Sequence, residues 1–340
     1  MINGHGNNIY HFGAEAIEYD FSSNVAYNNR SQPILDHLKE SMGQVCNYPD
    51  PEASELSRMI AEYVDCGKDQ ILVTNGSAEA FYLIAQHFAS RGLVKSAIIT
   101  PSFAEYEDSC RAYGHVLDYI TFEELPTTDL TQYDTLWVGV PNNPDGTKIG
   151  CSQITQIANN YPNCMIIIDR AYNELSVNRE NSWQLLDNII IVDSFTKLYG
   201  IPGIRLGYIV APQQIITSLS LVRPPWSVNS LSLVAGEFIM QHIDELHPDV
   251  EVLISESKYL QSQISQIDDF RVTPSDCNFF LVEILGGEDA AELQRYLIEE
   301  HKILIRDCSN FRGLTPRHFR VAAQERAACD KLIKALGEWR

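Results

Sequence analysis

The sequence has little of what announces metal, disulfide, dinucleotide or membrane chemistry. Its cysteines, Cys46, Cys66, Cys110, Cys151, Cys164, Cys277, Cys308 and Cys329, are scattered. There is no C-x-x-C pair and no histidine at ligand spacing, which argues for buried reduced thiols and against a metal centre. No G-x-G-x-x-G follows the first strand, so a nicotinamide-binding oxidoreductase carries little weight. No apolar run approaches bilayer-spanning length, and the opening MINGHGNNIYHF lacks a basic-then-apolar signal pattern. The expected compartment is the cytoplasm, with no membrane partner. Positive charge is scarce as well: 25 Lys plus Arg stand against 45 Asp plus Glu, a formal charge of −20. A surface this acidic repels phosphate backbones, so nucleic acid is not an expected partner. An anionic substrate would instead need a local nest of arginines and backbone N–H groups opposing the global field.

What is present is an ordinary globular composition, 45% hydrophobic and 21% charged, in 340 residues. That length exceeds what one core usually serves, so a large and a smaller unit are expected. Short β-branched runs alternate with amphipathic stretches: ILVT (71–74), AIIT (97–100), TLWVG (135–139), MIIID (165–169), IIIVD (189–193) and RLGYIV (205–210). The rhythm predicts an α/β fold, a mostly parallel doubly wound sheet with helices on both faces. After residue 210 long helical patterns give way to alternating strands around NFFLVEI (278–284), KILIR (302–306) and HFRVA (318–322), a smaller α+β unit. The expected division is 45–245 for the large unit and 1–44 with 246–340 for the small one, residues 1–44 packing on the latter.

In open parallel sheets ligands sit beyond the carboxyl ends of the strands, where this chain gathers its polar residues. Asn75-Gly76-Ser77-Ala78 follows ILVT, Pro101-Ser102-Phe103 follows AIIT, and Pro141-Asn142-Asn143-Pro144 follows TLWVG. MIIID ends in Asp169 with Tyr172 one turn on, and IIIVD is followed by Ser194 and Lys197. Gly76-Ser77-Ala78 opens a helix whose free N–H groups suit a phosphate, although a plain N-cap at Ser77 would explain the same residues. SFTKLYGIPGIRLGY (194–208) is more specific, because Ser194 and Arg205 could bind one phosphate while Lys197 reaches a carbonyl carbon. A lone lysine is usually a solvated charge. One on a Gly-rich loop directly after an apolar strand is harder to read that way. Asp169 closes an apolar run, where a carboxylate needs a positive partner, either a helix N-terminus or a protonated ring nitrogen.

These residues resemble the class I/II aminotransferase family of fold type I pyridoxal-phosphate enzymes, with PNNPDG, DRAY and the PSF turn in the family's order. The resemblance implies pyridoxal 5'-phosphate as cofactor and Lys197 as the lysine that carries it as a Schiff base. It further implies Asp169 at the pyridine nitrogen, Phe103 stacked on the ring, and Asn143 and Tyr172 at the ring hydroxyl. Gly76, Ser77, Ala78, Ser194 and Arg205 would surround the phosphate. Tyr48, in NYPD, is similar to a tyrosine that reaches the neighbouring subunit's cofactor phosphate, which implies a homodimer with shared sites. Within the family, HGNNI, DFSSN, NYPD, FAEY, PWSVN, ILIRDCSNFRGL and HFRVA are similar to stretches of the threonine-phosphate decarboxylases, beside the histidinol-phosphate aminotransferase branch. A small phosphorylated amino acid is then the implied substrate. His5, Asn24 and Arg306 would meet its phosphate side, and Arg320 with Asn143 its carboxylate. The sequence departs from the family at Arg170, usually acidic, at Asp145, usually Thr, and at Asn7, usually Gly in the decarboxylases. Tyr172 stands where those decarboxylases often carry Phe and transaminases Tyr, so the reaction type is open between decarboxylation and transamination.

Overall fold

The computed structural model describes residues 9–27, 31–177, 179 and 184–339. A seven-stranded sheet runs in the order Ile71–Thr74, Gly207–Val210, Ile189–Ser194, Met165–Asp169, Thr135–Gly139, Lys95–Ile99, Val116–Ile120. Gly207–Val210 is antiparallel to both of its neighbours, and the remaining pairings are parallel. Alternation within each strand divides the core between the two faces. Ile166, Ile168, Ile189 and Ile191 pack on one face, whereas Ile167, Ile190 and Val192 pack on the other with Trp137 and Phe81. The continuous apolar runs are therefore strands covered on both sides, as the sequence predicts. The strand Val116–Ile120 was not among the expected runs. It lies at the sheet edge, is partly exposed and carries Asp118, so nothing in it required an unbroken apolar pattern.

A second sheet of four antiparallel strands, ordered Arg306–Asp307, His318–Ala322, Phe279–Ile284, Phe270–Val272, is backed by a separate core that includes Phe21, Phe280, Phe319 and Leu332. The expected single strand KILIR splits in two. Ile303–Leu304 pairs in parallel with Tyr19–Asp20, and Arg306–Asp307 turns to pair with His318–Ala322. This split brings Arg306 directly opposite Arg320 across the ladder.

Residues 1–44 are expected on the small unit, and their described part divides between the two cores. Phe21 joins the small core, but Ala26, Ile34 and Leu38 join the core of the seven-stranded sheet. The helix Ser31–Glu40 presents Ile34 and Leu38 one turn apart and needs a cover. It finds one in the helix Ser230–Gln241, where the rings of His37 and Phe238 stack at 4.3 Å. The N–H of Ala26 donates to the carbonyl of Lys197 at 2.8 Å, tying this crossing segment to the lysine loop.

Gly207 sits where three backbones meet: a Cβ there would stand 2.8 Å from the Asp193 carbonyl oxygen and 2.9 Å from the backbone of Gly76 and Ser77. Backbone cannot swing aside, so Gly207→Ala should lower the unfolding free energy by roughly 1–3 kcal/mol in a urea titration. Gly203→Ala, whose Cβ would meet nothing within 4 Å, should stay within about 0.5 kcal/mol of the parent.

Candidate active site

A cleft of about 870 Å³ opens at the carboxyl ends of the parallel strands and extends to the small unit, lined by Lys197, Asp169, Phe103, Asn143, Arg306 and Arg320 among others. Lys197 lies in the short helix Phe195–Leu198, which Ser194 caps by accepting the Thr196 N–H at 3.3 Å. The Ser194 hydroxyl also bonds the Thr196 hydroxyl at 2.8 Å. Thr196, which the sequence did not single out, is among the residues that line the cleft, and Ser194 is not. Burial, reinforced by the Arg320 and Arg205 guanidiniums, pushes the Lys197 amine down to about 8, with Asp169 opposing. A lysine in this state reacts as a free amine close to neutral pH.

Asp169 is buried at the end of its strand, and burial pushes its carboxyl upward. Three groups oppose that shift: the Ala171 N–H at 3.0 Å from Oδ1, the Tyr106 hydroxyl at 2.7 Å from Oδ2, and the charge of Lys197. Tyr106 was not singled out by the sequence reading. Its place three residues after Phe103 in FAEY, on the helix Ala104–Ala112 that Phe103 precedes, was the available signal.

Gly76 adopts φ +75, and a Cβ on it would stand 2.4 Å from Arg205 Nη2. The glycine thus meets a double requirement, a left-handed backbone and room for a guanidinium. It is the first residue of the helix Gly76–Ala89, with Asn75, not Ser77, at the cap. Ser77, Ala78 and Arg205 all line the cleft, so helix N–H groups and a cation converge there. Arg205 itself has φ 57 and donates to the Pro202 carbonyl at 3.1 Å.

On the opposite wall Arg306 and Arg320 face each other across adjacent strands, both buried, and burial lowers both, Arg306 to about 10. Arg320 donates to Asn143 Oδ1 and, at 2.6 Å, to the carbonyl of Ser22. Arg306 donates to Asn310 Oδ1 at 2.7 Å and lies over the Phe311 ring at 5.2 Å. Asn24 is fully buried beside Tyr172, and its side-chain amide makes no well-formed hydrogen bond to any described residue. Tyr172 is buried edge-on to Phe279 at 4.8 Å. His5 lies outside the described residues. Tyr48 is 84% exposed, packs against Trp226 with ring centroids 5.0 Å apart, and does not line the cleft of its own chain.

Two departures find their partners. Arg170 pairs with buried Asp193 at 3.0 Å, its cation opposing the burial that pushes that carboxyl up to about 6. Asp145 accepts the Asn142 amide at 2.8 Å and the Thr147 N–H at 3.1 Å, closing the PNNPDG turn from within. At the cleft mouth Arg312 binds Glu107 through two N–H groups, at 3.0 and 2.8 Å, and lies over the Tyr119 ring at 3.9 Å. This clasp joins the 308–314 segment to the helix that begins beside Phe103.

The family described as aminotransferase class I and II matches residues 16–336, and the chain belongs to it. It is an enzyme of a family whose members depend on pyridoxal phosphate, and its fold is fold type I. The crystal structure of L-threonine-O-3-phosphate decarboxylase from Porphyromonas gingivalis is 34% identical, with a TM-score of 0.87 over 93% of this chain and 97% of that one. The histidinol-phosphate aminotransferase of a Thermoanaerobacter species is 30% identical over 94% of this chain and 92% of its own length. The threonine-phosphate decarboxylase of Salmonella typhimurium is 28% identical over 93% and 90% respectively. The residues present fit the family's cofactor: an amine of lowered proton affinity, a buried carboxylate, an aromatic face, and a glycine-lined helix start beside an arginine.

In cofactor-free protein, acylation of Lys197 mapped by peptide analysis should rise with a midpoint at about pH 8, while surface lysines follow their ordinary value of roughly 10.4. A Lys197 profile that rises only with the surface lysines would contradict the arrangement.

Proposed function

We infer that the chain is a pyridoxal-phosphate enzyme acting on a small phosphorylated amino acid, with L-threonine O-3-phosphate decarboxylation, of the kind used in cobalamin side-chain synthesis, as its reaction. The observation that carries the substrate class is the buried pair Arg306 and Arg320 in register across one ladder. Like charges directly opposite on neighbouring strands disfavour the sheet, and burying them adds a desolvation cost. In a chain of net charge −20 such a pair serves the fold poorly and serves a substrate with two anionic ends well.

Bound pyridoxal phosphate supplies an electron sink for charge developing at the substrate α-carbon. Lys197 would hold the cofactor and, once released, would carry protons at its Nζ. Asp169 would face the cofactor's ring nitrogen, Phe103 would lie against the ring, and Asn143 with Tyr172 would meet its hydroxyl. Gly76, Ser77, Ala78, Ser194 with its partner Thr196, and Arg205 would hold the cofactor phosphate. Arg320 with Asn143 binds the substrate carboxylate, and Arg306 with Asn24 and His5 its phosphate side. The two arginines would fix how the substrate's α-carbon is oriented, and that orientation would select between loss of the carboxylate and loss of the hydrogen. A homodimer accords with this reading, a second copy using Tyr48, which is 84% exposed beside half-exposed Trp226.

Transamination of histidinol phosphate or a similar amino acid is the second reading. It is favoured by Tyr172, which keeps the hydroxyl, and by the 30% identity to a histidinol-phosphate aminotransferase. Loaded enzyme incubated with O-phospho-L-threonine should release carbon dioxide. Arg306→Gln should raise KM for that substrate by roughly 10- to 100-fold, the loss of one charge-assisted contact. Amino transfer to 2-oxoglutarate without carbon dioxide would reverse the assignment.

A further inference from the structure

Asp169 has two carboxylate oxygens, and the protein uses both. Oδ1 accepts the Ala171 N–H at 3.0 Å, a bond internal to the turn that follows the strand. Oδ2 accepts the hydroxyl of Tyr106 at 2.7 Å from an element distant in sequence. Tyr106 is 2% exposed, and packing fixes its ring independently of that bond. Phe81 lies edge-on at 5.0 Å, Phe103 edge-on at 6.0 Å, and Trp137 stacks at 6.1 Å. Room for the hydroxyl comes from Gly139 at the end of its strand, where a Cβ would stand 3.2 Å from the Tyr106 oxygen. Burial and the neighbouring Asp169 charge both penalise the phenolate, so Tyr106 stays protonated and acts as a donor.

We propose that Tyr106 is a positioning residue for the cofactor, its hydroxyl holding the Asp169 carboxylate ionised and fixed in orientation toward the cleft. The proposal rests on the reading of Asp169 as the partner of the cofactor's ring nitrogen. A carboxylate removed from water drifts toward its neutral form unless donors compensate. A neutral Asp169 would offer the ring nitrogen nothing to hold its proton. The donor has a second consequence. By sharing the negative charge of Oδ2 it lowers the basicity of Asp169, which then accepts a hydrogen bond from a cationic nitrogen without taking the proton. The aromatic cluster sets the position of this donor, so the carboxylate is oriented before any ligand arrives.

Tyr106→Phe keeps the ring and its packing and removes only the hydroxyl. In cofactor-free protein, an infrared titration with Asp169→Asn to assign the band should find the Asp169 protonation midpoint raised by about one pH unit, a tenfold change in the proton equilibrium. Equilibrium titration of the same apoprotein with pyridoxal phosphate should give an affinity roughly tenfold weaker. A purely structural role would lower stability and leave the Asp169 midpoint where it was. If wild-type protein takes up pyridoxal phosphate and Tyr106→Phe shifts neither midpoint nor affinity, the assignment is overturned and the cofactor reading stands. Wild-type protein that takes up no pyridoxal phosphate overturns the cofactor reading and, with it, the role of Tyr106.

Discussion

An amine and a carboxylate share one desolvated edge of a parallel sheet, and each is held away from its ordinary proton affinity by what surrounds it. Burial drives Lys197 toward the neutral amine and Asp169 toward the neutral acid, while their mutual attraction and the donors on Asp169 work against both shifts. The balance depends on the sheet itself. Parallel strands covered on both faces end together in a dry layer, and only their carboxyl ends open to a ligand. The glycines of the site follow from the same crowding, since Gly76 and Gly207 lie where backbones and the Arg205 guanidinium approach too closely for a Cβ.

The second wall of the cleft obeys a different constraint. There Arg306 and Arg320 sit on strands, where geometry is set by the ladder. Arg306 and Arg320 are opposed because Ile303–Leu304 and Arg306–Asp307 pair with different partners, a break that directs the second strand against His318–Ala322. Each guanidinium has a partner on a nearby segment: Arg320 reaches Asn143 and Ser22, and Arg306 reaches Asn310. This wall is thereby coupled to the PNNPDG turn and to the N-terminal segment that crosses between the two cores. The Arg312–Glu107 clasp adds a surface link between the same two units, of a kind worth about 1 kcal/mol or less where solvent screens it.

Much of this was legible in the sequence because its physical cause is local. Unbroken β-branched runs specify two-sided burial, and polar residues immediately after them specify the open edge, so the sheet and the positions of Lys197, Asp169, Asn143 and Phe103 could be read directly. What escaped depends on tertiary contact. The edge strand Val116–Ile120 has one partly exposed side and so lacks the apolar signature. The break in KILIR arises from strand partners far away in the chain. Tyr106 looked like one aromatic among many until its hydroxyl met Asp169, and Thr196 was hidden behind Ser194, which spends its own hydroxyl on a helix cap. Which of the two cores Ile34 and Leu38 would cover depends on the distant helix Ser230–Gln241 and is not written in their own segment.

The central claim is that Lys197 is the nucleophile that captures the cofactor's aldehyde. The most direct measurement is reconstitution with pyridoxal phosphate, reduction with borohydride and peptide mapping of the stable adduct. The account predicts one phosphopyridoxyl group per chain, attached to Lys197. Protein that retains no adduct, or that carries it on a different lysine, would contradict it.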